Sequence, residues 1–201
     1  MPEVSERFRT AHGREWNQND VAIMYQSFEK HLFASLQDFT TPVPGVIETM
    51  EQLRREGIRI GSTTGYTDAM MKIVQPGAAA QGYTVDCLVI PDHLPAGRPA
   101  PYMIYRNMTE LAIPSVDEVV KVGDTIADIR EGLNAKVCSV GVITGSNELG
   151  LTEEEYKTMP EPELYTLKQE VRERMMAAGA HYVLDNIREL PDLIHNLMNK
   201  K

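Results

Sequence analysis

The stretch Val119-Val120-Lys121-Val122-Gly123-Asp124-Thr125-Ile126-Ala127-Asp128-Ile129 sets an apolar run ahead of Asp124 and repeats the carboxylate four residues later, at Asp128. If the run is a strand and Ile126 opens a helix, both carboxylates turn toward one point. Like charges that close are unfavourable unless a cation lies between them, and a hard divalent ion such as Mg²⁺ prefers such oxygen ligands. The competing reading is that Asp124 caps the helix and Asp128 faces water. Two further segments fit the same chemistry. Ile60-Gly61-Ser62-Thr63-Thr64-Gly65-Tyr66-Thr67 runs from a strand into a hydroxyl- and glycine-rich turn, where hydroxyls and backbone N–H groups suit an anion such as phosphate. Ordinary capping by Thr67 or Ser62 would write the same pattern. In Pro95-Ala96-Gly97-Arg98-Pro99-Ala100-Pro101 one cation, Arg98, sits in a loop of fixed shape, which suits a bidentate contact to phosphate.

These three segments need elements that bring them to one edge. From Val46 onward the pattern alternates between helix and short apolar strand. Helices are predicted over 46–56, 68–79, 101–111, 126–135, 161–178 and 187–198, and strands over 58–62, 87–90, 118–122, 139–143 and 181–184. Strands separated by helices of this length form βαβ units and a parallel sheet covered on both faces. Ligands then bind outside the C-terminal ends of the strands, where all three segments fall. Ahead of this, residues 19–36 carry apolar positions at helical spacing, with Asn19 or Asp20 as N-cap. The Thr40–Gly45 stretch reads as a hinge, dividing the chain into residues 1–41 and 42–201.

Composition narrows the class. The 201 residues carry a net charge of −9, and no basic run stands out, which argues against a nucleic-acid partner. No apolar run approaches the roughly 18 residues of a membrane span. Cys87 and Cys138 lie far apart in apolar surroundings, which predicts buried thiols, no disulfide and a reducing, cytoplasmic setting. A hydroxyl turn, a loop arginine and an acidic pair at successive strand ends together describe a metal-assisted phosphoryl-transfer site.

In order and spacing, Ser-Thr-Thr-Gly-Tyr-Thr, Ala-Gly-Arg-Pro and Val-Gly-Asp-Thr-x-x-Asp resemble the later motifs of haloacid-dehalogenase (HAD) phosphotransferases. With Glu131-Gly132-Leu133-Asn134-Ala135 and Gly145–Thr152 added, the chain resembles the phosphonoacetaldehyde hydrolase family over nearly its whole length. The resemblance implies a HAD-like Rossmannoid α/β core over 42–201, with 1–41 a remnant of a helical cap domain. It implies cleavage of the C–P bond of phosphonoacetaldehyde to acetaldehyde and phosphate. Thr64, Gly65 and Tyr66 would lie at the phosphoryl oxygens, Arg98 would supply positive charge, and Asp124 and Asp128 would hold Mg²⁺. A small phosphonate substrate and a homodimer of the full-length protein also follow from it. The alternatives are a HAD phosphatase acting on small phosphate esters and a non-catalytic relative.

The family also uses a nucleophilic Asp at the end of its first strand and a cap lysine that forms a Schiff base with the aldehyde. No strand followed by Asp and Gly-Thr is legible in residues 1–45. Asp20, Asp38, Lys30 and Lys72 read as capping or solvated side chains, and His93 as a surface residue. By resemblance, then, Met1 is internal to a longer protein and the central strand, between those ending at Ser62 and Val122, is absent. The chain alone is expected to be poorly stable and inactive, with two half-sheets. Lys136 stands where the family pattern leads to glycine, at a helix end that favours positive φ.

Overall fold

A computed structural model describes residues 2–199. Its β strands are short and all parallel: β1 (Gly61–Thr63), β2 (Cys87–Val89), β3 (Val120–Gly123), β4 (Cys138–Val142) and β5 (Tyr182–Leu184). Between and around them run α1 (Pro2–His12), α2 (Gln18–Ser35), α3 (Val46–Arg55), α4 (Asp68–Ala80), α5 (Tyr102–Glu110), α6 (Ile126–Asn134), α7 (Glu153–Thr158), α8 (Glu161–Ala177) and α9 (Leu190–Met198). The strands form two sheets. One is β1-β2, in which Ser62 lies opposite Leu88; the other is β3-β4-β5, with Val140 opposite both Val122 and Tyr182. β1 and β3 exchange no ladder hydrogen bonds, which is the expected division into two half-sheets.

Burial on both faces follows from alternation along β4. Val140 packs with Leu53, Leu184, Leu190 and Ile194, so α3 and α9 cover that side. Gly141 points the other way: a Cβ there would come within 2.5 Å of Met175 Sδ. Met175 belongs to a second cluster, with Ile129, Ile143, Leu149 and Val171, that brings α6 and α8 onto the opposite face. Each fully buried side chain of this size stabilises the fold by about 1.5–3 kcal/mol. Asp86 pins β2 beside β1, its carboxylate accepting from Ile60 N at 2.7 Å and its N–H donating to Ile60 O at 2.8 Å.

The N-terminal region departs from the sequence reading in three ways. The N-cap of α2 is Asn17, not Asn19 or Asp20; Asp20 is its partner in a capping box, accepting from Asn17 N at 2.9 Å. Most apolar residues of α2 cover no core: Val21, Ile23, Met24, Tyr25 and Phe28 are exposed. Residues 2–12, read only as a polar terminus, form α1. Further along, α7 was not anticipated, although Thr152 and Glu155 make its capping box. Lys136 does adopt φ 63°, a left-handed conformation that glycine takes without strain.

Candidate active site at the strand ends

Gly123 ends β3 and explains the Gly-Asp-x-x-x-Asp pattern. A Cβ on Gly123 would lie 2.5 Å from Asp128 Cγ, so only glycine lets that carboxylate fold back against the strand. Thr125 caps α6, its hydroxyl accepting from Asp128 N and donating to Asp128 Oδ2 at 2.6 Å. Neither half of the capping alternative holds: Asp124 is not the cap, and Asp128 is 2% exposed rather than solvated.

Asp128 is buried against two cations. Its Oδ1 lies 3.0 Å from Arg98 Nη1 and 2.9 Å from Lys121 Nζ. Burial opposes ionisation of this carboxyl, but the charges of Lys121 and Arg98 and the Thr125 hydroxyl outweigh it and hold its pKa below the usual carboxylate range. One helical turn on, Glu131 is 0% exposed. Its Oε2 sits 3.0 Å from Lys121 Nζ and 3.3 Å from Arg98 Nε, and accepts from Thr63 Oγ1 at 3.1 Å. The Arg98 Nε contact is out of line for a hydrogen bond, and Glu131 Oε1 has no hydrogen-bond partner among the described residues. Two cations and two carboxylates thus close a group of zero formal charge.

Thr63 completes the group. Its hydroxyl accepts from Lys121 Nζ at 2.8 Å and Arg98 Nη2 at 3.0 Å while donating to Glu131; Arg98 Nη2 also reaches Thr63 O at 2.6 Å. Thr63 ends β1 and Lys121 lies in β3, so these side chains bridge the two sheets where no ladder does. Asn134 donates to Pro99 O at 2.7 Å and ties α6 to the loop of Arg98, whose Arg98–Pro99 peptide is cis.

Around this group stand the remaining predicted residues. Asp124 Oδ2 accepts from both the backbone and side-chain N–H of Asn147, each at 3.0 Å, and Asp124 Oδ1 has no hydrogen-bond partner among the described residues. The Asn147 loop is fixed in turn by Glu148, which accepts from Ile126 N at 3.2 Å. The Thr64 hydroxyl accepts from Tyr66 N, the Gly65 Cα faces open space, and the Tyr66 ring is partly exposed. The N-terminus of α4 is already served: Thr67 caps it, and Asp92 accepts from Asp68 N at 2.9 Å.

Lys121, Glu131, Thr63, Thr125 and Asn147 were not singled out as site residues from sequence. The signal for Lys121 was available, since a lysine between valines in a strand buried on both faces needs a counter-charge. Glu131, three residues after Asp128 on one helix face, is that counter-charge. The side chains weighed as stand-ins for the family's nucleophile and lysine lie elsewhere. Asp20 pairs with Arg14, Lys72 pairs with Asp68, and Lys30, Asp38 and His93 are exposed.

Parallel strands between helices, with Asp124, Asp128 and a loop arginine at their C-terminal ends, define a class. The chain belongs to the haloacid dehalogenase-like hydrolases, whose family model matches residues 4–136. Within that class its relatives place it in the phosphonoacetaldehyde hydrolase family. The phosphonoacetaldehyde hydrolase of Parabacteroides distasonis is 68% identical over 200 residues, covering 100% of this chain and 76% of the relative. That of Bacillus cereus strain G9842 is 45% identical, covering 98% of this chain and 75% of the relative. A solved phosphonoacetaldehyde hydrolase-like protein from Oleispira antarctica superposes with a TM-score of 0.90 at 30% identity, over 99% of this chain and 72% of that one.

Proposed function

We propose that this chain supplies the phosphoryl- and cation-binding part of a site that cleaves the C–P bond of phosphonoacetaldehyde, giving acetaldehyde and phosphate. The observation that carries the reading is the pairing of Asp128 with Arg98 and Lys121 at Thr63, next in the chain to Thr64 and Gly65, in a chain 68% identical to a phosphonoacetaldehyde hydrolase. Thr64 and Gly65 hold the phosphoryl oxygens through hydroxyl and backbone N–H groups, Tyr66 flanks them, and Arg98 and Lys121 supply positive charge.

The donor set suits Mg²⁺. Asp124 keeps Oδ1 open at a strand end while Asn147 fixes Oδ2, and a carboxylate oxygen so oriented is the ligand a hard cation takes. Asp128 is a second ligand only once it leaves Arg98 and Lys121. Among the described residues no three His, Cys, Asp or Glu side chains gather as a ready cage, so the remaining positions fall to water and substrate oxygens. When bound, Mg²⁺ neutralises the phosphoryl oxygens and steadies the charge that develops on them.

Residues 1–41 are taken as part of the cap and 42–201 as the core. The exposed apolar face of α2 supports a homodimer contact on the cap. The free thiols of Cys87 and Cys138, whose pKa values burial pushes up, support a cytoplasmic setting.

The test has two arms on the 201-residue chain. Calorimetric titration with inorganic phosphate in Mg²⁺ is expected to show binding that Arg98→Ala abolishes; no binding overturns the reading of the site. An acetaldehyde-release assay with phosphonoacetaldehyde is expected to show no turnover, because the nucleophile and imine-forming lysine are not among the side chains at the site. Turnover would mean that a residue of this chain fills those roles.

A further inference from the structure

Arg98 and Lys121 are the cations available to an anion at this site, yet neither has charge to spare. Asp128 and Glu131 stand 2.9–3.3 Å from them. The three Lys121 contacts, to Thr63, Asp128 and Glu131, match the three N–H donors of an ammonium. An anion arriving at this group meets no net positive field.

The two carboxylates are not equivalent. Glu131 is wholly buried on α6 and held by Lys121 and the Thr63 hydroxyl. It reaches the site only through the cations it faces. Asp128 lies on the opening turn of α6, four residues after Asp124, whose Oδ1 is open. It is the one able to turn its charge toward a cation held at Asp124.

We propose that Glu131 is a fixed counter-charge and Asp128 an exchangeable one, so that an anion binds at Arg98 and Lys121 only when a divalent cation draws the charge of Asp128 away. With the cation in place, Arg98 and Lys121 face Glu131 alone and carry one unit of surplus positive charge. Cation and anion binding are therefore coupled through Asp128, and by linkage each strengthens the other by the same factor. Glu131 is a positioning residue in this scheme and contacts neither ligand. The inference rests on the proposed reading of the site and adds the order of dependence between its two ligands.

The test is calorimetric titration of the 201-residue chain with inorganic phosphate, with and without saturating Mg²⁺, repeated on Asp128→Asn. For the unaltered chain, Mg²⁺ is expected to tighten phosphate binding at least fivefold, within the usual range of such couplings. Direct contact between Mg²⁺ and phosphate would also give coupling, and the variant separates the two explanations. Asparagine keeps the shape of Asp128 but has no charge to exchange, so phosphate should bind Asp128→Asn without Mg²⁺ and the coupling factor should fall toward one. An unchanged factor in the variant overturns the exchange and leaves direct contact. Equal phosphate affinity with and without Mg²⁺ in the unaltered chain overturns the coupling itself. No phosphate binding under any condition overturns the underlying reading instead. Circular dichroism monitors folding of the variant. If Asp128→Asn does not fold, Glu131→Gln replaces it: it must bind phosphate without Mg²⁺ yet keep the coupling, because its Asp128 still exchanges, and failure to bind without Mg²⁺ overturns the charge balance.

Discussion

Asn147 gives two donors, its backbone N–H and its side-chain amide, to one oxygen of Asp124, each at 3.0 Å. Residues from the loops after β3 and β4 thereby fix a single carboxylate oxygen and leave its twin without a hydrogen-bond partner among the described residues. Groups that orient a metal ligand in this way typically contribute 10–100-fold to affinity. Because Asn147 is exposed, the lower end applies. Asn147→Ala should weaken Mn²⁺ binding about tenfold, read by the loss of the free-ion signal in electron paramagnetic resonance. Affinity equal to that of the unaltered chain would show that Asp124 needs no such hold.

The Gly123 position tolerates no side chain. With Asp128 Cγ 2.5 Å from where a Cβ would sit, Gly123→Ala must push α6 away from β3 or expel Asp128 from its pairing. Overpacking of this kind costs about 3 kcal/mol at the upper end of its usual range, and for a chain this long that lowers Tm by roughly 10 °C. A thermal melt within about 2 °C of the parent would refute the constraint.

Relief is expected at Lys136. Its φ of 63° is strained for a residue with a side chain. Lys136→Gly should raise stability by about 1 kcal/mol, less the entropy a glycine adds to the unfolded chain. The check is the urea midpoint, which should rise at constant slope. A fall would mean that the lysine side chain contributes more than the strain removes.

The two sheets should open unequally. β4 is bonded on both sides and carries the fully buried Val140, whereas β1 is bonded only to β2. Exchange rates follow local opening, so the β1 amides should exchange with deuterium faster than those of β4. Equal protection in a peptide-resolved experiment would contradict the division into two sheets.

Acid should loosen the start of α2 only well below pH 4. Asp20 accepts two hydrogen bonds from Arg14 at 2.7 Å each, the leading cause of its low pKa, and one from Asn17 N; together they bring it to about 2. The unfolded value is about 3.9. The folded value is the lower one, so the contribution of this carboxylate is complete above about pH 4 and is lost as pH falls through about 2. A carboxyl-carbon NMR titration of Asp20 should show its midpoint near 2; a midpoint near 4 would mean the pairing does not form in solution.

Strand positions from β1 to β5 were legible because each apolar run is bounded by glycine, proline or a capping residue, and boundaries moved by three residues at most. The strand-to-helix turn that carries Asp124 and Asp128 was legible too, since Gly-Asp-x-x-x-Asp follows an apolar run. Less visible was what these carboxylates do in the fold. Asp128 turns inward to Lys121 and Arg98, a tertiary pairing that no local pattern encodes. The face of α2 misled for a related reason: helical spacing predicts that an apolar stripe exists, not that this chain covers it.

The bridge of Thr63, Arg98, Lys121 and Glu131 between β1 and β3 has a mechanical meaning. Ladder hydrogen bonds fix register, so one strand cannot slide along another without breaking a whole row of them. Side-chain ion pairs have no register. The seam between the two sheets can shear by a fraction of an ångström while its contacts re-form around the same charges.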